Sequence, residues 1–497
     1  MMAAATAAAF YTTAPGGFLS DDFGILYQVS RSSFAELFRP PPSGSAAGFY
    51  RPAALVLWKL EYIMFGLAPS GYWAVSLLTH TANGFMVYLL VRRLADSVQV
   101  AVTAGLVFIA MPLQGEAVAW LSCAFDRLCL FFVLASLYLY VAYRDKGRPL
   151  AYGGSVMLFI LAILSKEMAV TFPALAVLVE AFFWKKGSKE YKAAVLRVLP
   201  FAVVLGVYMY FRYHIFHGIG GYMDTHGQSR HTLLDPFTAA GVLWDMAWYW
   251  FFPGNRTLVP DSSLVYVVFL ALYFWQATML KTSARKTFKL FVFGLSWSVV
   301  TLQAVMSMLP LFPDLNRGRY IYLPTVGFAV FMAGIFAPAS GMSRSRRRVS
   351  IGLSAVLLTG YLYIDSINYS TWPKAYGIAR SIPSQVVRDH PNIPFGARLY
   401  FKGVPDNYKG AFIYRNGLSE SLAMAYGYNG RGHLQVDYLM KDDRVRGKPS
   451  MDYAGLVRSR PDNLYVFAYS PSTDKVTTLY QPQESGRPPV KAEDVKR

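Results

Sequence analysis

The chain has 497 residues, of which 54% are hydrophobic, 16% aromatic and only 15% charged. Its mean hydropathy is +0.30, whereas a soluble globular protein carries about 25% charged residues. This composition excludes an ordinary soluble protein and indicates an integral membrane protein. The formal net charge of +19 is explained below by where the basic residues lie.

Apolar segments of nearly bilayer-spanning length recur along most of the chain. A transmembrane helix needs about 17 to 25 residues. Windows near this length occur at 70–91, 98–113, 118–143, 150–165, 168–184, 195–214, 262–280, 288–309, 320–338 and 349–367. With a weaker first segment, they predict a polytopic α-helical protein with about eleven transmembrane helices. A further span at 237–252 would break the alternation of sides, so this aromatic segment is expected to be re-entrant or interfacial.

Lys and Arg residues concentrate in five loops between the apolar segments. These loops lie at 92–93, 144–148, 185–197, 281–289 and 344–348. Basic loops stay on the cytoplasmic side of a membrane, and these five carry most of the net charge, so binding to nucleic acid is not implied. The alternation of spans then places Asp21, Glu116, Lys166 and everything after about residue 369 on the extracytoplasmic side.

The chain is expected to form two domains and a tail. Residues 1–368 are the predicted transmembrane domain, with a long first outer loop at 19–69 that holds short interfacial helices. Beyond this domain the composition becomes polar, and a helix-like stretch at 373–389 is followed by strand-like runs. Residues 369–482 are therefore predicted to be a small extracytoplasmic α/β domain, and the charged residues 483–497 a disordered tail.

An acid pair, Asp21 and Asp22, follows the first apolar segment. A charged group near hydrocarbon costs several kcal/mol unless it is hydrated, paired or bound to a cation. We therefore treat both carboxylates as candidates for a functional role. The alternative interpretation is that both acids only solvate a loop.

Further charged residues lie at the outer ends of the apolar segments. They are Arg51, Glu116, Asp126, Arg127, Lys166, Glu167, Arg317 and Arg319. Carboxylates and cations on one face provide ligands for a divalent metal, or a general base beside a clamp for a phosphate. The alternative is that each acid pairs with the adjacent base to tolerate burial, as Lys166 with Glu167 and Asp126 with Arg127.

Several other polar residues carry weaker signals. One loose cluster in the outer loop at 215–236 consists of His217, Asp224, His226 and His231. Its spacing fits no standard metal site, so a solvated Gly-rich loop is the favoured interpretation. In the outer domain, Tyr414, Asn416 and Tyr426–Tyr428 are candidates for contact with a glycan, although packing is the favoured role for each.

Four residues in the apolar segments are expected to serve packing. His80 and Asn83 lie one turn apart and predict hydrogen bonds between helices rather than a metal site. Cys123 and Cys129 are the two cysteines of the chain. They are too few for a disulfide framework, so we expect them to pack in the interior.

An ordered series of short motifs resembles a known family. The motifs are Ser20–Phe23, Tyr50–Pro52, Leu78–Asn83, Pro112–Trp120, Leu164–Ala169, Arg319–Pro324 and Val326–Phe328. Across residues 19–338 this series resembles the membrane half of the transmembrane O-mannosyltransferases that carry tetratricopeptide repeats. It is equally similar to their repeat-less bacterial relatives in the C-type glycosyltransferase superfamily. The plasma membrane of a bacterium fits a repeat-less, Arg-rich chain best, with the endoplasmic reticulum as the eukaryotic equivalent.

The resemblance implies a chemistry and roles for the charged residues. Such enzymes pass a sugar from a polyprenyl-phosphate carrier, outside the cytoplasm, to a hydroxyl of a protein or glycolipid. Asp22 or Asp21 would be the general base, and Glu116 would help to bind the acceptor or a divalent metal (Mg or Mn), with Asp22 as a second metal ligand. The leaving phosphate needs cations, and those suitably placed are Arg51, Lys166, Arg319 and Arg127.

The chain departs from the family pattern at three places. Met111 precedes Pro112 where relatives usually have His. Where the family has Gly-Arg-x-Asp, this chain reads Cys123-Ala124-Phe125-Asp126, so the usual arginine is missing and Arg127, one residue after the acid, is a candidate substitute. Gly318 precedes Arg319 where the family commonly has Glu, so the acid of an ion pair is not expected there. No tetratricopeptide repeats follow the membrane part.

Three functions are consistent with these observations. The leading one is an inverting glycosyltransferase that uses a lipid-phosphosugar donor. The second keeps the fold but uses a lipid-linked oligosaccharide, as an oligosaccharyltransferase or glycan ligase does. The third is a lipid or glycan transporter, which would need polar residues near mid-membrane and usually internal repeats. The ionisable residues lie at helix ends instead, which favours chemistry at the membrane surface.

Overall fold

The computed structural model describes thirteen stretches of the chain. They are residues 1–41, 49–95, 97–182, 188–217, 236–259, 264–279, 284–306, 309, 311–336, 343–394, 396–427, 435–439 and 463–482. The predicted tail at 483–497, Tyr428, and Asp224, His226 and His231 of the histidine cluster, lie outside these residues. The chain divides into a first unit, Met1–Ala14 with Phe34–Ser370, and a second unit, Pro15–Ser33 with Thr371–Arg497.

The described part of the first unit is α-helical. Its helices are α1 (Met2–Phe10), α3 (Pro52–Phe65), α4 (Pro69–Ala95), α5 (Val98–Ile109), α6 (Gly115–Ala119), α7 (Ala124–Lys146), α8 (Pro149–Ser165), α9 (Phe172–Phe182), α10 (Ser188–Phe216), α11 (Pro236–Phe251), α12 (Leu264–Met279), α13 (Ala284–Leu302), α14 (Thr325–Phe336) and α15 (Arg344–Asn368). Local signals mark several ends. Pro52 and Pro149 begin α3 and α8, where a missing N–H costs nothing. Gly147 ends α7 in the left-handed conformation (φ 65°) that favours glycine.

Four helical stretches among the described residues are long and apolar enough to cross a membrane. They are Pro69–Ala95, Leu121–Lys146, Glu190–Phe216 and Arg344–Asp389. Shorter apolar helices cover Val98–Ile109, Pro149–Ser165, Tyr266–Trp275, Phe288–Leu302 and Thr325–Phe336. Each of the ten predicted windows therefore contains a helix, and the aromatic segment at 237–252 forms α11. The count of eleven spans stays a prediction.

Small residues let the helices of the first unit approach closely. A side chain on Gly294 of α13 would lie 2.5 Å from the carbonyl oxygen of Gly327 in α14, and one on Gly327 would lie 2.3 Å from that of Gly294. Ser136 of α7 and Ser155 of α8 each donate to the other's carbonyl oxygen, at 2.7 and 2.8 Å. Helices in lipid have no hydrophobic force that drives them together, so close packing and interhelical hydrogen bonds of this kind hold them in place.

The second unit combines helices and a small sheet. Its helices are α2 (Asp21–Arg31), α16 (Trp372–Asp389) and α17 (Leu418–Ala425), and its strands are β1 (Arg398–Lys402), β2 (Asn407–Tyr408), β3 (Ala411–Phe412), β4 (Gln435–Leu439), β5 (Leu464–Ser470) and β6 (Lys475–Tyr480). One sheet has the order β4-β1-β5-β6, with β1 parallel to β4 and β5 and with β6 antiparallel to β5. Strands β2 and β3 form a separate antiparallel pair. Tyr400, Leu464 and Val466 form a buried cluster on the larger sheet.

The two units do not divide the chain as the predicted domains do, and the predicted domain bounds stay predictions. The break after Ser370 lies close to the predicted boundary at 368. The segment Pro15–Ser33, which we predicted to be part of the membrane domain, groups with the second unit instead. Its helix α2 packs on α17, and the N–H of Ser20 donates to the carbonyl oxygen of Ile413 at 2.8 Å. These contacts join residues far apart in the chain, so no local sequence pattern predicts them.

Candidate active site

The predicted site residues are divided between the two units. Arg51, Glu116, Lys166 and Arg319 lie in the first unit, and the acid pair lies in the second.

Glu116 and Arg319 form a buried ion pair in the first unit. The carboxylate of Glu116, in the first turn of α6, accepts the main-chain N–H of Arg319 at 2.9 Å and also binds its guanidinium. Burial raises the pKa of the Glu116 carboxyl above its ordinary value, while Arg319 opposes this shift. A side chain on Gly318 would lie 3.0 Å from the carbonyl oxygen of Leu113. Position 318 therefore has little room for a side chain, and the acid partner of Arg319 is Glu116 instead of a residue at 318.

Lys166 pairs with Asp126 rather than with its neighbour in the chain. The Lys166 Nζ lies 2.5 Å from Asp126 Oδ1, and the two side chains are 4% and 3% exposed. Helix α8 ends at Ser165, and Lys166 then adopts an extended backbone (φ −159°). The predicted neighbour pairs, Lys166 with Glu167 and Asp126 with Arg127, were therefore wrong, because the partners are set by packing between helix ends.

Glu167 binds Arg51 instead. The Arg51 guanidinium donates from Nε and Nη2 to the two carboxylate oxygens, at 3.0 and 2.6 Å. This bidentate arrangement is the strong form of such a pair. Burial alone would raise the pKa of Glu167, but the Arg51 guanidinium, the charge of Lys166 and a backbone hydrogen bond together lower this pKa to about 2.

Aromatic rings lie against the cations of these three ion pairs, and Tyr320 connects two of them. The ring of Tyr320 lies 5.7 Å from Lys166 Nζ and 4.5 Å from Arg319 Cζ, and the ring of Phe125 lies 5.4 Å from Arg51 Cζ. Cations over ring faces gain further stabilisation. We call this set the charged cluster; it consists of Arg51, Glu116, Asp126, Lys166, Glu167 and Arg319. Tyr320, within the Arg319–Pro324 motif, was not predicted to connect the cations.

Arg127 binds the backbone beside the charged cluster. Its guanidinium donates to the carbonyl oxygens of Ala117, Trp120 and Leu121, and Arg127 is 2% exposed. These bonds hold the turn that joins α6 to α7. The geometry favours this role over the predicted contact with a donor phosphate.

An apolar groove adjoins the charged cluster. This α8–α10 groove has a volume of about 460 Å³, and its lining includes Tyr50, Leu164, Val207, Tyr208 and Arg212. Leu164 is two residues from Lys166, and Tyr50 directly precedes Arg51 of the charged cluster. The groove therefore offers apolar walls beside three ion pairs, whose cations could bind an anionic head group only in exchange with their carboxylate partners.

The acid pair begins α2 in the second unit. Asp22 is fully buried, and its Oδ2 accepts the main-chain N–H of Leu19 at 2.8 Å. Asp21 is half-buried, and its Oδ1 accepts a hydrogen bond from Asn416 Nδ2 at 2.7 Å. Acids in the first turn of a helix also interact favourably with its dipole. The two acids therefore have different surroundings, and Asp21 is the one that retains access to solvent.

The predicted metal ligands Asp22 and Glu116 belong to different units. Within the described residues, no group of three or more His, Cys, Asp or Glu side chains converges to hold a metal ion. Both carboxylate oxygens of Glu116 bind Arg319. The residues present do not fit a Mg or Mn site at Glu116, and no step proposed below uses a metal.

The packing residues predicted in the helices behave as expected. His80 Nδ1 lies 2.8 Å from Tyr322 Oη and its Nε2 lies 3.2 Å from the carbonyl oxygen of Ile109. Asn83 Nδ2 also contacts Tyr322 Oη, at 3.1 Å. The interhelical hydrogen bonds are therefore confirmed. Cys123 and Cys129 are buried free thiols, as predicted.

The chain resembles the C-type membrane glycosyltransferases. It shares the fold of an oligosaccharyltransferase from Archaeoglobus fulgidus, solved as a crystal structure in complex with Zn and sulfate, with a TM-score of 0.51 and 12% identity over 94% of this chain and 67% of that chain. At this identity the likeness concerns the fold alone. No family model matches the chain.

Individual relatives are named protein O-mannosyl-transferases. Tmtc1 of Drosophila melanogaster is 31% identical over 136 residues, which are 27% of this chain and 15% of that protein. F38B6.6 of Caenorhabditis elegans is 24% identical over 370 residues, which are 69% of this chain and 50% of that protein. The chain thus spans at most about half the length of these relatives.

Proposed function

We propose that this protein is a membrane glycosyltransferase that moves a sugar from a polyprenyl-phosphate carrier to a hydroxyl of a protein or lipid acceptor. The observation that carries the proposal is the charged cluster beside the α8–α10 groove. A lipid-phosphate donor has an apolar tail and an anionic head, and this part of the first unit offers an apolar groove and the ion-paired cations Arg51 and Lys166. The names of the animal relatives support transfer of a sugar to protein.

The proposed reaction is a displacement at the anomeric carbon of the sugar. The acceptor hydroxyl oxygen forms a bond to this carbon, and the bond from the carbon to the phosphate oxygen breaks with its electron pair going to the phosphate. The hydroxyl proton passes to a carboxylate of the acid pair, and the lipid phosphate leaves. Lys166, Arg51 and Arg319 are suited to stabilise the leaving phosphate, because fixed cations cost no reorganisation during the reaction.

Asp21 is the better candidate for the general base. It is half-buried and can meet an acceptor from solvent, whereas Asp22 is fully buried and its Oδ2 binds the N–H of Leu19. A base must come within about 2.6–3.2 Å of the proton donor's oxygen. We therefore assign proton transfer to Asp21 and the ordering of this helix start to Asp22.

The proposed location is a cellular membrane, with the acid pair and the second unit on the extracytoplasmic side. The distribution of Lys and Arg supports this orientation. The relatives reported above come from a fly and a nematode. They therefore give no support to the predicted bacterial plasma membrane, and the eukaryotic equivalent is the endoplasmic reticulum.

The test compares variants in cells that lack the chain. Wild type, Asp21→Asn and Asp22→Asn are expressed at matched levels, and intact-mass and glycan profiling are applied to membrane proteins and glycolipids. Asp389→Asn is the matched control, because this acid is exposed in the second unit and forms a surface ion pair with Arg388. We expect wild type and the control to restore a defined sugar mass that Asp21→Asn does not restore.

Other outcomes have definite meanings. Wild-type product with both Asp21→Asn and Asp22→Asn would contradict the proposed general base. A restored mass corresponding to a preassembled oligosaccharide would identify the donor as a lipid-linked oligosaccharide. No sugar-mass difference between cells with and without the wild-type chain would favour transport instead.

A further inference from the structure

We propose that Asn416, in the second unit, is a positioning residue that orients the carboxylate of Asp21. The two residues are 395 positions apart, and Asn416 Nδ2 lies 2.7 Å from Asp21 Oδ1. This inference rests on the proposed function, in which Asp21 takes the acceptor proton. Through this hydrogen bond, Asn416 contributes to the reaction by fixing the direction of the base, Asp21.

The chain segment around Asn416 also forms hydrogen bonds to Ser20, the residue that precedes the acid pair. The N–H of Ser20 donates to the carbonyl oxygen of Ile413 at 2.8 Å, and the N–H of Asn416 donates to Ser20 Oγ at 3.2 Å. Ser20 has φ 46° and ψ −115°, which a non-glycine residue rarely adopts and which therefore needs support from its surroundings. The bonds to Ile413 and Asn416 supply this support at the residue that precedes Asp21.

Glycine is required at the next position of this segment. Gly417 has φ +86°, and a side chain there would lie 2.1 Å from the carbonyl oxygen of Ser20. Only a residue without Cβ permits this approach at low cost. The two backbones are therefore in direct contact beside the hydrogen bond from Asn416 to Asp21.

The segment that carries Asn416 is itself firmly held. Tyr414 Oη donates to the carbonyl oxygen of Ala379 in α16 at 2.6 Å. The ring of Tyr414 stacks on Phe23 of α2, with centroids 5.7 Å apart and an interplanar angle of 22°. A positioning group works only when its own support is rigid. Asn416 meets this condition because α2 and α16 contact the same tyrosine.

The hydrogen bond determines which carboxylate oxygen is available. Asn416 occupies Oδ1 of Asp21, and among the described residues no hydrogen bond is recorded to Oδ2. Free rotation about the side-chain bonds of Asp21 would otherwise exchange the two oxygens. With Oδ1 held by Asn416, Oδ2 is the atom that takes the acceptor proton. The orientation of the base toward the attacking oxygen is then fixed.

A double-mutant cycle tests whether Asn416 acts through Asp21. The purified full chain is assayed for sugar transfer as wild type, Asn416→Ala, Asp21→Ala and the double variant, with kcat and acceptor KM measured for each. We expect Asn416→Ala to lower kcat about tenfold or more with little change in KM. In the Asp21→Ala background, Asn416→Ala should leave the residual rate unchanged, because the residue that it orients is gone.

Two further variants exclude a purely structural effect. Asn416→Asp keeps the size of the side chain but removes the donor, so its kcat should fall at least as far as that of Asn416→Ala. Asn407→Ala is the matched control, because Asn407 donates to Asp406 in the same unit at 3.1 Å. Its kcat and melting temperature should match wild type.

The outcomes separate this inference from the function on which it rests. Wild-type kcat in Asn416→Asp, or an equal loss from Asn416→Ala with and without Asp21, would overturn the positioning role while leaving Asp21 as the base. Full activity of Asp21→Ala itself would instead refute Asp21 as the base in the proposed function.

Discussion

The carboxylate of Glu116 binds Arg319 twice, through the main-chain N–H and through the guanidinium, although the two residues are 203 positions apart. The pair joins α6 to the turn before α14, and the side chains are 3% and 13% exposed. Removing one partner of a buried ion pair leaves an uncompensated charge, which costs about 3–5 kcal/mol.

Glu116→Gln should therefore destabilise the first unit by about 3 kcal/mol or more. The amide retains an acceptor for the N–H of Arg319 but no charge for its guanidinium. Thermal unfolding of the detergent-solubilised protein measures the effect. Glu36→Gln is the control, because Glu36 pairs with Arg39 at the surface, where the side chains are 44% and 76% exposed. An equal melting temperature for Glu116→Gln and the control would contradict the buried pair.

Lys166 and Asp126 allow stability to be separated from activity. Lys166→Met should destabilise the protein by about 3–5 kcal/mol, because Asp126 is left buried and unpaired. The double variant Lys166→Met with Asp126→Leu should recover most of this loss, since an apolar pair avoids the cost of burying charge. If Lys166 stabilises the donor phosphate, the double variant stays inactive. Recovery of both stability and sugar transfer would assign Lys166 a structural role only.

Filling the α8–α10 groove should weaken donor binding. Val207 lines this groove and is 51% exposed, so Val207→Trp can place a large ring in it without disturbing the core. We expect the KM for the lipid-phosphate donor to rise about tenfold while kcat at saturation is retained, as for loss of uniform binding. Val177→Trp is the control, because this 54% exposed residue lines a different groove between α9 and α10. Equal donor KM values for the two variants would remove the groove from the donor site.

The second unit should lose stability as the pH falls below about 6.5, the ordinary pKa of histidine. Burial lowers the pKa of His390, and Asp389 only partly opposes this shift. His390 Nε2 lies 2.6 Å from Thr478 Oγ1 in β6. A group with a lowered pKa in the folded state binds fewer protons than in the unfolded state, so its contribution is present above about pH 6.5 and is lost on acidification.

Hydrogen exchange in the second unit at pH 7.5 and pH 5.5, corrected for the intrinsic exchange rate, measures this dependence. His390→Gln, which is uncharged, should reduce the loss of protection at the lower pH. His217→Gln, at an exposed position in the first unit, should retain the wild-type difference. If His390→Gln also retains it, the pH dependence has another origin.

Local features of the sequence were sufficient to predict the class of protein and the positions of most helices. Each predicted apolar window contains a helix, because hydropathy over about 20 residues reports directly on a bilayer-spanning segment. The hydrogen bonds of His80 and Asn83 between helices were predictable as well, since polar residues in apolar helices find partners on neighbouring helices. The sequence also predicted that the residues of the charged cluster lie at helix ends, but it did not predict which of them pair.

The sequence by itself thus determined that this is a multi-helix membrane protein with charged residues collected at the ends of its helices. Only the tertiary structure decided which charges pair: Lys166 with Asp126, 40 positions away, and Arg51 with Glu167, 116 positions away. It also decided that Asn416 holds Asp21. Hydropathy and charge spacing are local properties, whereas the partner of a buried ion depends on which helix ends the packing brings together.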